Sequence, residues 1–534
     1  MTQSLARSCP EFSDSESEPE LEPELEQPKQ RFRKNSSSPD MAPSSALTPA
    51  KALAFLKFVD ASPTPFHAVH TTVSYLNQAG FKPISSRADL SSAFKSGDIV
   101  PGGKYYLTRN QSSLLAFVVP RRLTERTGFS VVAGHTDSPC LKVRPVSKRE
   151  KAGYVMVNTE TYGGGAWPTW FDRDLGLAGR VILKQGGSDQ YVTKLIHIER
   201  PILRIPTLAI HLDRTINDAF KFNKETEFQP VLGLVNKELN SPAVSTESSV
   251  AEGKEADKAT ETSPSPSFAS KHHSLLMQAV ANELNVKPDD IFDFELSLFD
   301  TQKAAIGGIN SEFIHTARLD NLMTCFCAVD GLIESVGKEE LAAESDDQEH
   351  FRTIVLFDNE EVGSVSYQGA ESDLLPSFME QMTSIDKFIP ANYGQVLQNS
   401  FLISCDMAHA VNPLYEARYQ DQHKPHMNGG VVIKMNANQR YTSNPVTTFA
   451  LRRLAEMSGV PIQEFEVRND SSCGSTIGPA LSVKGFRTVD IGIPQLSMHS
   501  IRETCGTKDP EYLIELFKTF FKHFSQVDAQ LQVD

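Results

Sequence analysis

Four apolar runs of this 534-residue chain end in side chains that could bind metal or move protons. Residues 129–133 (FSVVA) are followed by Gly134-His135-Thr136-Asp137, and residues 353–357 (TIVLF) run into Asp358-Asn359-Glu360-Glu361. Residues 401–404 lead to Cys405-Asp406-Met407-Ala408-His409, and residues 488–493 (TVDIGI) pass through Pro494 to Met498-His499-Ser500. Runs of this length read as buried strands. In open α/β sheets, ligands bind just beyond the carboxyl ends of the strands. A fifth acidic group, Asp320, follows Ala317-Arg318-Leu319 at the start of a predicted helix with apolar positions at Leu322, Met323, Phe326, Val329 and Ile333.

The residue types define the chemistry. Zinc takes imidazole nitrogen and carboxylate oxygen, and catalytic sites leave a position open. Two ions about 3.5–4 Å apart need a carboxylate that bridges both, further ligands on each side, and a free carboxylate to move a proton. His135, Asp320, Glu361, Asp406 and His499 supply five ligands, which leaves Glu360 as the base. Asp137, two residues beyond His135, can orient that imidazole through its second N–H. Each group has a plainer reading by itself: Asp320 as a helix cap, Glu360-Glu361 as a solvated turn, either histidine as a satisfied polar group. Their shared placement at strand ends favours the metal site.

The elements that position these groups belong to two architectures. Residues 51–76 read as helix after Thr48-Pro49, and residues 154–212 read as sheet, with β-branched residues and the turn glycines of Tyr162-Gly163-Gly164-Gly165. Beyond Phe292, short apolar runs alternate with helical stretches, the pattern of an α/β unit around a largely parallel sheet. Residues 1–48 are rich in Ser, Pro and Glu and read as a disordered acidic tail, and residues 237–271 read as a low-complexity loop. The net charge of −15 argues against nucleic acid as a main partner. Six residues, 114–119, form the longest apolar run, against the roughly 20 that cross a bilayer. Seven cysteines without a CxxC pair, and no apolar leader after Met1, predict a reducing, cytoplasmic location; Cys325 and Cys327 read as buried small hydrophobes.

Longer blocks around these residues resemble the aspartyl aminopeptidases of the M18 metallopeptidase family. They are GHTDSPCLKVRP at 134–145, RDLGLAGRV at 173–181, RIPTLAIHL at 204–212, ARLDN at 317–321, DNEEVGS at 358–364, the 39 residues from Asp406 to Asn444, CGSTIGP at 473–479 and SMHSIRE at 497–503. The resemblance implies two Zn2+ per subunit, with Mn2+ or Co2+ as alternatives. His135, Asp320 and Asp406 would hold one ion, and Asp320, Glu361 and His499 the other. Glu360 would act as general base on the attacking water, with Asp137 in the catalytic set. Substrate contacts would come from Glu360, Asp406, His409, Lys434 and Tyr441, and from His211 reaching a neighbouring subunit's site. On their own, His211 reads as a buried or edge histidine, Lys434 as a surface lysine, and His423 and His426 as structural residues or a pocket wall rather than metal ligands. A cation in the pocket would favour substrates with N-terminal Asp or Glu.

The fold expected from this resemblance is α/β, a zinc-peptidase domain with a mixed, largely parallel central sheet flanked by helices, interrupted by a β-rich dimerisation domain. Its segments would be 49–137, then 138–308 for dimerisation, then 309–534. Dimers would build a tetrahedral homododecamer, and delivery to a vacuole is the alternative to cytoplasmic residence. The competing functions are a dinuclear aminopeptidase of broader or neutral specificity, and an assembled shell or cargo protein with incidental catalysis.

Overall fold

The computed structural model describes residues 49–185, 189–235, 267–337, 349–384 and 392–533. The tail expected over residues 1–48 and most of the low-complexity stretch, residues 237–266, lie outside these. Phe268–Lys271 at the end of that stretch form a 3-10 turn, with Phe268 packed against the core of the inserted sheet.

A nine-stranded mixed sheet carries the site. Its order is Lys82–Pro83, Lys104–Arg109, Ser113–Val118, Phe351–Phe357, Phe129–His135, Phe401–Cys405, Arg487–Gly492, Val431–Lys434 and Ile462–Phe465. The four strands from Phe351–Phe357 to Arg487–Gly492 pair in parallel, so their carboxyl ends lie side by side. Both faces are covered, as the near-continuous apolar runs require. Alternate side chains reach opposite layers: Ile354 and Leu356 join the packing around Leu319–Glu334 and the C-terminal helix Asp509–Asp528, whereas Phe351, Val355 and Phe357 pack with Leu374–Thr383. The two helices of the first layer approach closely at Gly331, where a Cβ would stand 2.9 Å from that of Phe517. Leu513, Phe517, Phe520 and Phe524 form the inward stripe of the C-terminal helix, buried at intervals of three and four residues.

Between the first and second strand ends the chain builds a separate six-stranded antiparallel sheet, ordered Tyr191–Leu203, Leu175–Lys184, Ile291–Asp300, Cys140–Lys151, Tyr154–Tyr162, Val231–Leu234. Its core holds Trp167, Trp170 and Phe228 under the helix Ser274–Leu284. By Ala305–Gly307 the chain has left it for a five-stranded sheet with Phe313–Thr316, Glu503–Gly506, Pro494–Leu496 and Ala408–His409.

Two expected elements differ. The helix over 51–76 is two helices, Ala50–Asp60 and Pro65–Gln78, because Pro63 and Pro65 remove main-chain donors and restrict the residues before them. The sheet expected over 154–212 ends at Leu203 apart from a bridge at Arg204, and residues 206–212 follow an exposed turn. No helix among the described residues is long and apolar enough to cross a membrane.

Candidate metal centre

The parallel register brings the predicted ligands together. His135 is the last residue of Phe129–His135 and is 1% exposed. Its Nδ1 donates to the Asp137 carbonyl at 3.1 Å, with the Asp137 carboxylate 3.5 Å away. That leaves Nε2 facing Asp320 Oδ1 at 3.2 Å and Asp406 Oδ1 at 3.5 Å. On the other side of Asp320, His499 Nε2 lies 3.4 Å from Asp320 Oδ2 and 3.4 Å from Glu361 Oε2. Among the described residues, the two groups placed to share a metal ion are His135, Asp320, Asp406 and Asp320, Glu361, His499. Asp320 belongs to both.

The donor set fits zinc. Bonds of 2.0–2.1 Å at tetrahedral angles put neighbouring ligand atoms roughly 3.3 Å apart, the spacing of all four contacts across the centre. Asp320 Oδ1 and Glu361 Oε1 are buried and have no hydrogen-bond partner, a costly state that a cation relieves. An unprotonated imidazole nitrogen aimed at two carboxylates is likewise repulsive without a cation between them. Asp320 makes no side-chain cap and has non-helical backbone angles in the first turn of Leu319–Glu334, so its carboxylate is free for the centre.

Glu360 and Glu361 sit in a 3-10 turn that begins after Asn359, whose φ of 64° is left-handed. The Asn359 side-chain oxygen accepts from Ser366 and Gln368, both at 2.8 Å. Asp137 grips the turn through its main chain: Oδ1 accepts the N–H of Glu360 and Oδ2 that of Glu361, each at 3.1 Å. Burial opposes ionisation of Asp137, but hydrogen bonds from His135, Tyr162 and the Glu361 N–H outweigh it and hold the carboxyl below its usual range. Glu360 belongs to neither ligand group. Burial pushes its carboxyl up to about 8, with Asp406, Asp137 and Asp320 adding to the rise and His135 opposing it.

Comparisons with known proteins give the family. The profile of the aminopeptidase I zinc metalloprotease family (M18) matches residues 58–521. An aspartyl aminopeptidase of Aspergillus oryzae is 49% identical over 499 residues, covering 90% of this chain and 98% of that protein. The chain belongs to the M18 zinc metalloprotease family, in its aspartyl aminopeptidase branch. An M18 aspartyl aminopeptidase of Dictyostelium discoideum is 46% identical over 90% of this chain and 97% of its own length. Among solved M18 structures, the cryo-EM structure of the Ape4 and Nbr1 complex superposes with a TM-score of 0.82 at 43% identity, covering 92% of this chain and 89% of that one. The S. cerevisiae mApe1 dodecamer gives 0.74 at 30% identity, covering 90% and 98%.

Seen as an M18 site, the remaining candidates divide. Lys434 is not on the surface: it ends the strand Val431–Lys434, is 2% exposed, and holds Nζ 3.4 Å from Asp406 Oδ2 and over the Tyr441 ring at 5.4 Å. His409, in the short strand Ala408–His409, sets its ring edge-on to Phe465. His211, read from the sequence as a buried or edge histidine, stands instead on the exposed turn with Ile210 and Leu212. His423 bonds Gln420 and the His426 main chain donates to Gln463.

Three further residues, Tyr162, Gly164 and Glu503, hold the site in ways the sequence does not predict. Tyr162 of the inserted sheet donates to Asp137 Oδ2 at 2.6 Å and accepts from Asn359 at 2.9 Å. Gly164 offers its carbonyl to His499 Nδ1 at 3.1 Å, and Glu503 accepts the main-chain N–H of His499 at 2.8 Å. The run Tyr162-Gly163-Gly164-Gly165 carried the available signal, since consecutive glycines permit close approach. At Gly163, whose φ is 78°, a Cβ would stand 3.2 Å from that of Glu361.

Proposed function

We propose that this aspartyl aminopeptidase releases N-terminal Asp and Glu from peptides at a two-zinc centre, with Glu360 as general base. The observation that carries the reading is a carboxylate outside both ligand groups yet beside them, while Asp320 belongs to both. His135, Asp320 and Asp406 would hold one ion, and Asp320, Glu361 and His499 the other. Zinc held there would supply Lewis-acid polarisation of the scissile carbonyl and stabilisation of the negative charge that develops on it. Glu360 takes a proton from the attacking water and returns it to the leaving amine. Asp137 holds the base through its main-chain N–H and keeps His135 in the tautomer that presents Nε2 to a ligand site.

Lys434 gives the specificity its physical basis. A buried ammonium beside Asp406 and Tyr441 pairs with an acidic side chain far more strongly than it would in water. His409 and Tyr441 complete the pocket wall. The exposed turn around His211 suits a contribution to a second copy's site, within dimers that assemble as the related dodecamer does. The described cysteines are all free, which fits a cytoplasmic enzyme, with delivery to a vacuole as the other destination.

Hydrolysis of Asp-, Glu-, Leu- and Ala-aminoacyl substrates, before and after metal removal and zinc return, tests the reading. Zinc-restored turnover confined to Asp and Glu is expected. Preference for Leu or Ala would transfer support to the broader dinuclear aminopeptidase, and turnover that survives complete metal removal would sink the two-zinc mechanism.

A further inference from the structure

Glu503 opens the strand Glu503–Gly506, is 2% exposed, and belongs to neither ligand group. Its two oxygens divide between two main-chain donors: Oε2 accepts from the N–H of Asp320 at 3.2 Å and Oε1 from that of His499 at 2.8 Å. Gln495 Nε2 stands 3.4 Å from Oε1. A carboxylate is a costly group to bury, and what it supplies here is two acceptor atoms on one rigid plane. Both donors lie on residues of the same ligand group, 179 positions apart in sequence.

His499 needs such an anchor. Its φ of 64° is left-handed, a conformation that a side-chain-bearing residue adopts only when its surroundings impose it. The inserted sheet's connection supplies two holds, Ala166 N–H to the His499 carbonyl at 2.8 Å and the Gly164 carbonyl to Nδ1 at 3.1 Å. Glu503 supplies the third, and it joins the main chain of His499 to that of Asp320. His135 is held differently: the parallel ladder fixes its main chain on the side of Phe357, and the Cys325 thiol donates to its carbonyl at 3.0 Å.

We propose that Glu503 is a positioning residue which sets the spacing of Asp320 and His499, and thereby the affinity of the metal position they form with Glu361. The His135 position depends on it much less. This inference rests on the two-zinc reading.

The test is zinc content per chain across buffered free zinc, measured by elemental analysis on the full-length protein and on Glu503→Gln and Glu503→Ala. Wild-type protein should bind two ions. Glu503→Gln keeps the volume but one acceptor, and should weaken one ion by about tenfold, within the usual range for groups that orient ligands. Glu503→Ala should weaken the same ion further and leave the other at wild-type affinity. Activity lost at limiting zinc should return at high zinc in Glu503→Gln. Two ions held at wild-type affinity in Glu503→Gln, with a lowered melting temperature alone, would overturn the assignment, as would parallel weakening of both ions. Fewer than two ions in the wild-type protein would instead remove the two-zinc reading on which it stands.

Discussion

His135 and His499 approach the same carboxylate, Asp320, from opposite sides, and the chain delivers them by different means. His135 is the terminal residue of a central strand, fully buried, with its main chain in register with Phe357 on one side, while the ladder on the other side ends at Ala133. His499 lies in the connection between Pro494–Leu496 and Glu503–Gly506, with its side chain 32% exposed and its main chain in the left-handed region. A strand end needs no special fastening, because the sheet that forms the core also aims the residue. A turn needs dedicated partners, and here they come from two parts of the fold: Glu503 from the third sheet, and Gly164 and Ala166 from the inserted one.

Asp320→Asn strikes both sides at once. It should lose both ions and cut kcat/KM on Asp substrates by on the order of 10^4-fold or more, the scale seen when a member of a cooperating catalytic group is removed. Retention of two ions would show that the sides do not share a ligand. Glu360→Gln separates chemistry from binding: both ions should remain while kcat falls about 10^2- to 10^4-fold, the range of general acid–base catalysis. Turnover near wild type in that variant would reassign the base.

Lys434→Met probes the His135 side, where its ammonium meets Asp406. Preference for Asp over Ala substrates should fall roughly 10- to 150-fold, the equivalent of one charged hydrogen bond, with metal content unchanged. Tyr162→Phe probes what the inserted sheet contributes to Asp137. It should lower kcat about tenfold at unchanged zinc content, again by the worth of a hydrogen bond to a charged group. Equal kcat in the variant would confine that sheet's role to His499.

A last effect, on stability rather than turnover, lies away from the centre and serves as its control. Burial pushes the His350 imidazole down to about 4, with Asp528 opposing. The folded protein therefore binds fewer protons there than the unfolded chain below the ordinary value of 6.5. Its contribution to stability is complete above that pH and is lost as the pH falls toward 4, about 2 kcal/mol between pH 7 and 5. Melting temperatures across that window should fall less steeply in His350→Phe, while zinc affinity stays as in the wild-type protein.

The difference between the two histidines also explains what could be read in advance. Strand ends such as 129–135 and 351–357 announce themselves, because buried parallel strands are unbroken apolar runs and the residue after them is forced to one edge. The approach to His499 was foreseen as one strand, 488–493, and is two, Arg487–Gly492 and Pro494–Leu496, lying in different sheets. Pattern cannot show that switch, since the second piece, Pro494–Leu496, is too short to carry an alternation of its own. Lys434 was legible as a strand residue but not as a buried one, because its neighbours in the pocket come from Asp406 and Tyr441. Tyr162 and Glu503 act through a few hydrogen bonds to residues of other elements, which leave no periodicity behind. The two proline positions that split the first helix were visible, yet the apolar spacing on either side bridges them.

The insertion between His135 and the rest of the site also has a consequence for biosynthesis. His135 and His499 are 364 residues apart in sequence, and the inserted sheet that braces His499 lies between them. At synthesis rates of roughly 5–20 residues per second, the first ligand leaves the ribosome about 20–70 s before the last. A nascent chain in that interval has no complete second ligand group. The group of Asp320, Glu361 and His499 is therefore complete only when the chain is nearly whole, whereas His135, Asp320 and Asp406 have all been made 93 residues earlier.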